Sequence, residues 1–303
     1  MNGRRKPPRG PGHLAESRGD PGYPSTMARW LVRFGYDGTG FVGWARQPGY
    51  RTVEGVLREG IPRTGVAPSM EAAALSVASR TDREVSARGN ALTLTSELPV
   101  MAVIRALNGI APDIFFDAVT EVPPDFSARA ACRRWYRYFE PAEGHHFVRW
   151  RKAARAFRGE VDVRSFGRDL PAETPTLRTI DRVEVRRLGS RWFVVDVRAP
   201  SFVWGMVRKI IAALRKVDDG DLSLGRLERA LRGEVRLTLP LAEPEGLVLW
   251  EVAYPIPWTR VWSRPTRAQS RHFSGLVRRA RLREAVGRAL FPLPARGTGP
   301  RRR

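Results

Sequence analysis

The feature that most constrains the fold is an alternation of side chains near the start of the chain, followed by a capped helix. The alternation has the period of a half-buried strand and consists of Trp30, Val32, Phe34 and Tyr36. After a glycine-rich turn, Thr52 precedes apolar residues at helical spacing, so we expect a helix that begins after Thr52 and stops at Pro62. Strand and helix signals of this kind continue to about residue 258. The sequence therefore predicts an α+β protein.

Net charge points to a polyanionic partner. The chain has 303 residues, enough for two modest domains, and its formal net charge is +22. A phosphate backbone is the commonest partner for such a charge. Cys132 is the single cysteine, so disulfides within the chain and cysteine-rich metal sites are excluded.

Much of the charge lies at the two ends. Residues 1–26 carry five basic and two acidic side chains, and residues 260–303 carry 13 arginines and one acid. We interpret residues 1–27 as a disordered basic tail, with Met27 as an alternative start, and residues 259–303 as a basic extension. Residues 274–290 are expected to form a basic helix with Leu276, Val277, Ala280 and Leu290 on its apolar side, whereas the final three arginines should be unstructured.

A membrane location is not indicated. Apolar runs fall well short of the roughly 20 residues that a spanning helix needs, and the N-terminus lacks the apolar segment of a signal peptide. We therefore expect a cytoplasmic protein.

One short stretch carries the strongest chemical signal. Asp82 lies among three arginines, Arg80, Arg83 and Arg88. A nearby guanidinium favours the ionised form of a carboxylate, which suits a nucleophile. A surface turn with a solvated cluster of ion pairs would give the same pattern, so this stretch by itself leaves both interpretations open.

Residues 80–87 (RTDREVSA) resemble the R-T-D-x-G-V-H/S-A signature of the tRNA pseudouridine synthases of the TruA family. The resemblance implies that Asp82 is the catalytic nucleophile and that Arg80 enters the RNA helix when the target base is flipped out. Ser79 and Glu84 stand where the family usually has glycine. Because a loop glycine often marks a positive φ or a close approach to a ligand, we expect Glu84 to affect the geometry of this loop.

Two further stretches resemble motifs of the same family. Residues 36–48 (YDGTGFVGWARQP) are similar to Y-D-G-T-x-F-x-G-W-x-x-Q, which lies beside the active-site cleft of the family. Residues 133–138 (RRWYRY) are similar to K/R-x-Y-x-Y, which implies that Tyr136 stacks on the target uracil. Tyrosines at alternate positions also fit an ordinary aromatic core, and we assign Tyr138 to that core.

The second half of the chain contributes two more motifs. Residues 201–211 (SFVWGMVRKII) are similar to S-F-L-x-x-M-V-R-x-I/M-V, which implies that Arg208 pairs with Asp82. A charged residue in such an apolar helical stripe is costly unless it is paired. Residues 244–249 (PEGLVL) are similar to P-x-G-L-x-L, which implies that Leu247 forms the floor of the uracil pocket.

The resemblance covers about residues 29–256 and implies isomerisation of uridine to pseudouridine in the anticodon stem-loop of tRNA, at tRNA positions 38 to 40. It implies neither a cofactor nor a metal, and it implies a homodimer. The implied pseudouridine synthase fold has two α+β halves, each with a mainly antiparallel sheet covered by helices. A change of pattern near residue 121 divides them into an N-terminal domain, 28–121, and a C-terminal domain, 122–258.

Three alternatives remain at this point. The fold could belong to a tRNA-binding protein or RNA chaperone without catalytic activity, which Glu84 would favour. Charge alone would also fit a general DNA-binding protein. His145 and His146 could suggest metal or acid–base chemistry, but their flanking sequence holds no further ligand at a suitable spacing, so we expect surface histidines.

Overall fold

The computed structural model describes residues 27–260 and 265–290. Its strands are β1 (Ala28–Tyr36), β2 (Ser76–Val77), β3 (Ser86–Ser96), β4 (Ile114–Val122), β5 (Arg133–Pro141), β6 (Gly159–Asp162), β7 (Leu177–Ile180), β8 (Arg182–Leu188), β9 (Trp192–Ala199), β10 (Leu247–Ala253) and β11 (Thr259–Arg260). Its helices are α1 (Val53–Arg63), α2 (Met70–Ala73), α3 (Val100–Asn108), α4 (Phe147–Arg155), α5 (Met206–Asp219), α6 (Leu224–Leu231) and α7 (Arg267–Leu290). The predicted tail before Met27 and the three final arginines lie outside these residues.

One large sheet organises the described residues. Its strand order is β11-β4-β1-β3-β10-β5-β9-β8, with β2 paired to β3, and β6 and β7 form a separate two-stranded sheet. The pairs within each half are antiparallel, whereas β3 and β10 pair in parallel at Ser86–Val248 and Ala87–Leu249. This mainly antiparallel sheet with helices confirms the predicted α+β fold class. The exact domain limits stay a prediction, since the sheet continues from one half to the other.

The first strand is more deeply buried than its sequence pattern predicts. All residues of β1 after Ala28 are buried, including Arg29 and Arg33, so the prediction of a half-buried strand is wrong. The reason is that β1 lies between β3 and β4 and that other segments also cover the sheet face that carries Arg29, whose guanidinium reaches the carbonyls of Ala73 and Phe126. Arg29 is accommodated because its guanidinium donates to the Ala74 carbonyl at 2.7 Å and to the Thr93 hydroxyl at 2.7 Å.

Helices in the second half pack where the sequence periodicity indicates. On α5 the apolar stripe is buried, and it includes Met206, Val207, Ile210, Ile211 and Leu214. Helix α4 packs against both α5 and β8, the strand at the end of the large sheet. Arg208, in the first turn of α5, reaches the loop between β2 and β3 in the other half of the chain.

Helix α7 begins earlier than expected and docks through different residues. Its buried Gln269 donates to the Ile114 carbonyl at 2.8 Å, and the His272 imidazole lies 2.9 Å from the Asp37 carboxylate. Phe273 contacts the Phe115 ring edge to face, with centroids 5.8 Å apart. The predicted apolar side of this helix is wrong in part, because Val277 is 53% exposed. Polar side chains in the first two turns attach the helix, and hydrophobic periodicity cannot reveal them.

Among the described residues, the helices are too short or too polar to cross a membrane.

Candidate active site

Asp82 lies on the loop between β2 and β3, and backbone contacts hold that loop in place. The Trp44 amide donates to the Thr81 carbonyl at 3.1 Å, and the Thr81 hydroxyl is 2.8 Å from the Tyr36 hydroxyl. Gly43 has φ +86, and a Cβ at that position would lie 3.1 to 3.2 Å from backbone atoms of residues 81–83. The glycine-rich segment identified in the sequence therefore packs directly on the loop that carries Asp82.

Glu84 adopts the backbone conformation that the sequence comparison indicated for this position. Its φ is +63, in the left-handed region that favours glycine. The turn is closed by the Val85 amide, which donates to the Asp82 carbonyl at 3.2 Å, and by the Glu84 amide, which donates to the Phe41 carbonyl at 3.1 Å. Glutamate is thus accepted in the same turn, at the cost of backbone strain.

The Asp82 carboxylate has two partners from the other half of the chain. Arg208 donates to Oδ2 at 3.2 Å, and the Trp204 indole N–H donates to Oδ1 at 2.7 Å. The side chains of Asp82 and Arg208 are 18% and 13% exposed, so the pair is mostly shielded while one face of the carboxylate is open to the cleft. These two hydrogen bonds fix the orientation of the carboxylate.

A backbone carbonyl also fixes the position of the Arg208 side chain. Its Nε donates to the Ala242 carbonyl at 2.6 Å, in addition to the ion pair with Asp82. The predicted Arg208–Asp82 ion pair is therefore present, and the charge within the apolar stripe of α5 is paired, as its energetic cost requires.

The arginines nearest to Asp82 in sequence have other partners. Arg83 pairs with Glu84 at 3.2 Å, and the Arg88 guanidinium lies 4.6 Å from the centre of the Trp250 ring. The expected contact of these neighbours with Asp82 is therefore wrong, because Arg83 lies in the turn beside Glu84 and Arg88, on β3, is directed to Trp250. Arg80 is exposed and lines the cleft described next.

A cleft of about 1020 Å³ brings the predicted site residues together. Five of its lining residues are those identified from the sequence, namely Arg80, Asp82, Tyr136, Arg208 and Leu247. Further arginines, Arg83, Arg129, Arg134 and Arg168, line the same cleft and make it basic. A polyanion that carries a planar base fits this combination of charge and shape.

Tyr136 and Leu247 form the apolar part of this cleft. Both are buried, and the Tyr136 ring contacts Phe202 edge to face, with centroids 5.1 Å apart. Burial raises the pKa of Tyr136 to about 12, and the negative charge of Asp82 adds to the increase. Tyr136 is therefore a neutral phenol at physiological pH and presents an aromatic ring rather than a base.

The sequence motifs did not identify Trp204. This residue occupies one of the unspecified positions of its motif, and its contact with Asp82 joins residues 122 positions apart. The side chain is 51% exposed, and the Arg168 guanidinium lies 4.5 Å from the centre of its ring. The available signal was a tryptophan four residues before the predicted catalytic Arg208.

His145 differs from its prediction as a surface residue. Its side chain is 17% exposed, and its ring nitrogens lie 3.0 Å from Asp218 and 3.1 Å from Glu140, whereas His146 is 63% exposed. His145, Asp218 and Asp219 have potential metal-ligand atoms within 4.8 Å of one another. Because both ring nitrogens of His145 already contact carboxylates, a cation would have to displace one of these contacts.

The fold and the site together define a class of protein that holds a carboxylate, oriented by an arginine and a tryptophan, at the junction of a mainly antiparallel sheet and facing a basic cleft. A family model described as tRNA pseudouridine synthase matches residues 153–255. tRNA pseudouridine synthase A of Thermococcus sibiricus is 40% identical over 227 residues, which cover 75% of this chain and 85% of that protein.

Two further relatives agree with this match. The proteins of the same name from Thermococcus kodakarensis and Pyrococcus furiosus are 40% and 36% identical, over 74% and 75% of this chain and 84% of each relative. A solved Cbf5-Nop10-Gar1 complex is 14% identical over 59% of this chain and 44% of that chain, with a TM-score of 0.31, too low for a comparison of folds. The chain belongs to the tRNA pseudouridine synthase A family, the TruA family, and is an isomerase.

Proposed function

We propose that this enzyme isomerises uridine to pseudouridine in the anticodon stem-loop of tRNA, at positions 38 to 40, with Asp82 as the nucleophile. The observation that carries the proposal is the Asp82 carboxylate, oriented by Trp204 and Arg208 and open to the basic cleft. The family supplies the substrate class, and the anticodon region is the finer part of the proposal.

The cleft residues suit the steps of this reaction. A uracil within a stem must be flipped out of the helix at a cost of a few kcal/mol. Arg80, exposed at the cleft, would enter the gap that the base leaves. Tyr136 would stack on the extruded base, an interaction worth about 1–3 kcal/mol, and Leu247 would support it from below.

The isomerisation itself requires a nucleophile and no oxidant or reductant. Asp82 attacks either the uracil ring or C1′ of the sugar, and the glycosidic bond to N1 breaks. The uracil rotates, C5 forms the new bond to C1′ as the bond to Asp82 breaks, C5 loses its hydrogen as a proton, and N1 takes up a proton. Atoms and electrons balance without hydrolytic water. Arg208 would stabilise the charge of the carboxylate before attack and after its release.

Tritium release from tRNA labelled at uracil C5 tests the proposal, because C5 loses its hydrogen only when it becomes the new glycosidic carbon. We expect release by the wild type, none by Asp82→Asn, and tRNA binding by that variant within a few-fold of wild type. Asp125→Asn, which removes an exposed carboxylate outside the cleft, is the matched control and should react normally.

The other outcomes are equally informative. Parallel loss of binding and release in Asp82→Asn would make Asp82 structural. Tight tRNA binding without release by the wild type would favour the non-catalytic alternative. Substrates whose single labelled uridine lies inside or outside positions 38 to 40 test the anticodon assignment. The homodimer and the cytoplasmic location stay proposals based on the resemblance and the composition.

A further inference from the structure

A second basic groove lies apart from the active-site cleft. It has a volume of about 730 Å³ and runs between α4 and β8. Six arginines and a single glutamate line it, together with Phe147, Val183 and Val185; the charged residues are Arg151, Arg155, Arg158, Arg182, Arg186, Arg187 and Glu184. None of these residues lines the active-site cleft. The groove therefore needs its own explanation.

Most of this positive charge is not neutralised within the protein. Arg182 pairs with Glu184 and Arg186 with Asp196, but the ion pairs found across residues 27–260 and 265–290 do not include Arg151, Arg155, Arg158 or Arg187. All six arginines are exposed. Concentrating unpaired like charges costs free energy unless an anion binds among them.

Phe147 holds part of this cluster in a defined arrangement. The guanidinium groups of Arg187 and Arg151 lie 4.8 Å and 5.6 Å from the centre of its ring, and Phe147 in turn packs on the buried Phe193. Cation–π contacts of this kind restrict a guanidinium without using its N–H donors. The donors remain free to bind phosphate oxygens in pairs.

The shape of the groove favours an extended anion over a small one. Arg151 and Arg155 are one helical turn apart, about 6 Å along α4 at 1.5 Å per residue, and Arg158 follows the end of this helix. On β8, Arg187 lies over Phe147, whereas Arg182 and Arg186 alternate to the other face of this edge strand. The six arginines are therefore spread along two elements. A peptide strand added to the edge of β8 would meet six guanidinium groups and one carboxylate, a poor match for most sequences.

We propose that this groove binds the phosphate backbone of the tRNA substrate at a region remote from the reacting uridine. The inference rests on the proposed function, because it takes the polyanion to be the same tRNA. The groove would add affinity and orient the RNA without contacting the base that reacts. Sequence reasoning missed it because its arginines are divided between two segments about 30 residues apart.

The test compares two double variants with the wild type. Arg155→Gln/Arg158→Gln removes two groove arginines, and Arg105→Gln/Arg226→Gln removes two exposed helical arginines outside both clefts. Binding of a labelled tRNA transcript is measured by fluorescence anisotropy from about 50 to 200 mM salt. We expect the groove variant to bind about tenfold more weakly than the control. Its log–log salt slope should be smaller by roughly 1.5, because about 0.7–0.9 counterions are released per phosphate contact.

Tritium release at saturating tRNA separates this inference from the proposed function. The groove variant should keep the wild-type rate at saturation and show a raised KM. If the wild type releases tritium but the groove variant binds tRNA like the control, the groove proposal is wrong and the proposed function stands. If the wild type releases none while the groove variant still binds tRNA more weakly, the groove stands and the proposed function fails. Weaker binding to anionic phospholipid vesicles with unchanged tRNA binding would make the groove a membrane-surface site instead.

Discussion

Glu84 allows a direct test of the strain in the loop that carries Asp82. A residue other than glycine in the left-handed region costs roughly 1–2 kcal/mol, and φ at Glu84 is +63. Substitution by glycine removes this cost but gives the unfolded chain about 0.4–1 kcal/mol of additional conformational entropy. It also removes the ion pair with Arg83, whose side chain is 67% exposed, and such a pair is worth at most about 1 kcal/mol.

Comparison of Glu84→Gly with Glu84→Ala isolates the backbone effect, because both variants lose the ion pair. We expect Glu84→Gly to have the higher free energy of unfolding, by about 0.5–1 kcal/mol, in urea denaturation. Glu228 is exposed within α6 and provides the matched control. There the order should reverse, with glycine less stable than alanine by up to about 1 kcal/mol.

The same variants address catalysis. Glycine can keep the turn that the amides of Glu84 and Val85 close, so Glu84→Gly should release tritium at least as fast as the wild type. An alanine variant as stable as the glycine variant, or more stable, would refute the strain argument. Turnover that appears only in Glu84→Gly would support the non-catalytic alternative for the natural chain.

Two further predictions concern carboxylates with several donors. Trp204→Phe removes the 2.7 Å hydrogen bond to Asp82, so we expect a roughly tenfold lower single-turnover rate with little change in KM; a change in KM alone would indicate RNA binding instead. For Asp196, burial raises the pKa, but hydrogen bonds from Arg137, Arg186 and Trp135 outweigh it, so the pKa lies below its usual 3.8. A carboxylate whose pKa is lowered by folding stabilises the fold at pH values above its unfolded-state pKa. This stabilisation is lost as the pH falls through the folded-state pKa. Asp196→Asn should therefore cost about 3 kcal/mol at neutral pH and progressively less in acid, measured by urea denaturation; a difference independent of pH would contradict this.

The sequence was informative wherever ordered motifs specified both a residue type and its spacing. Asp82, Tyr136, Arg208 and Leu247 were selected on that basis, and they line one cleft. The positive φ at Glu84 also follows from the glycine that the family usually has there. Such residues are predictable because their chemistry or backbone geometry restricts which amino acid can occupy the position.

Contacts between distant segments that no motif residue specified were not predictable in this way. The pair of Asp82 with Arg208, 126 positions away, was expected from the resemblance, but the hydrogen bond from Trp204, 122 positions away, was not. His145 was assigned to the surface because its partner Asp218 lies 73 positions further along the chain. A single sequence contains little information about which of many similar side chains the fold will bring together.

The two halves of the sheet are joined where β3 pairs with β10, and this joint explains the position of the site. Ser86, four residues after Asp82, pairs in parallel with Val248, the residue after Leu247. This register sets the position of the Asp82 carboxylate relative to Leu247 at the floor of the pocket. A shift by one residue would turn Leu247 to the opposite face of the sheet. A Cβ at Gly246 would lie 2.6 to 3.0 Å from the Tyr138 ring, so the start of β10 can approach its neighbour only with glycine there. Because Asp82 comes from one side of this joint and Arg208 from the other, the reactive arrangement exists only when both halves are folded together.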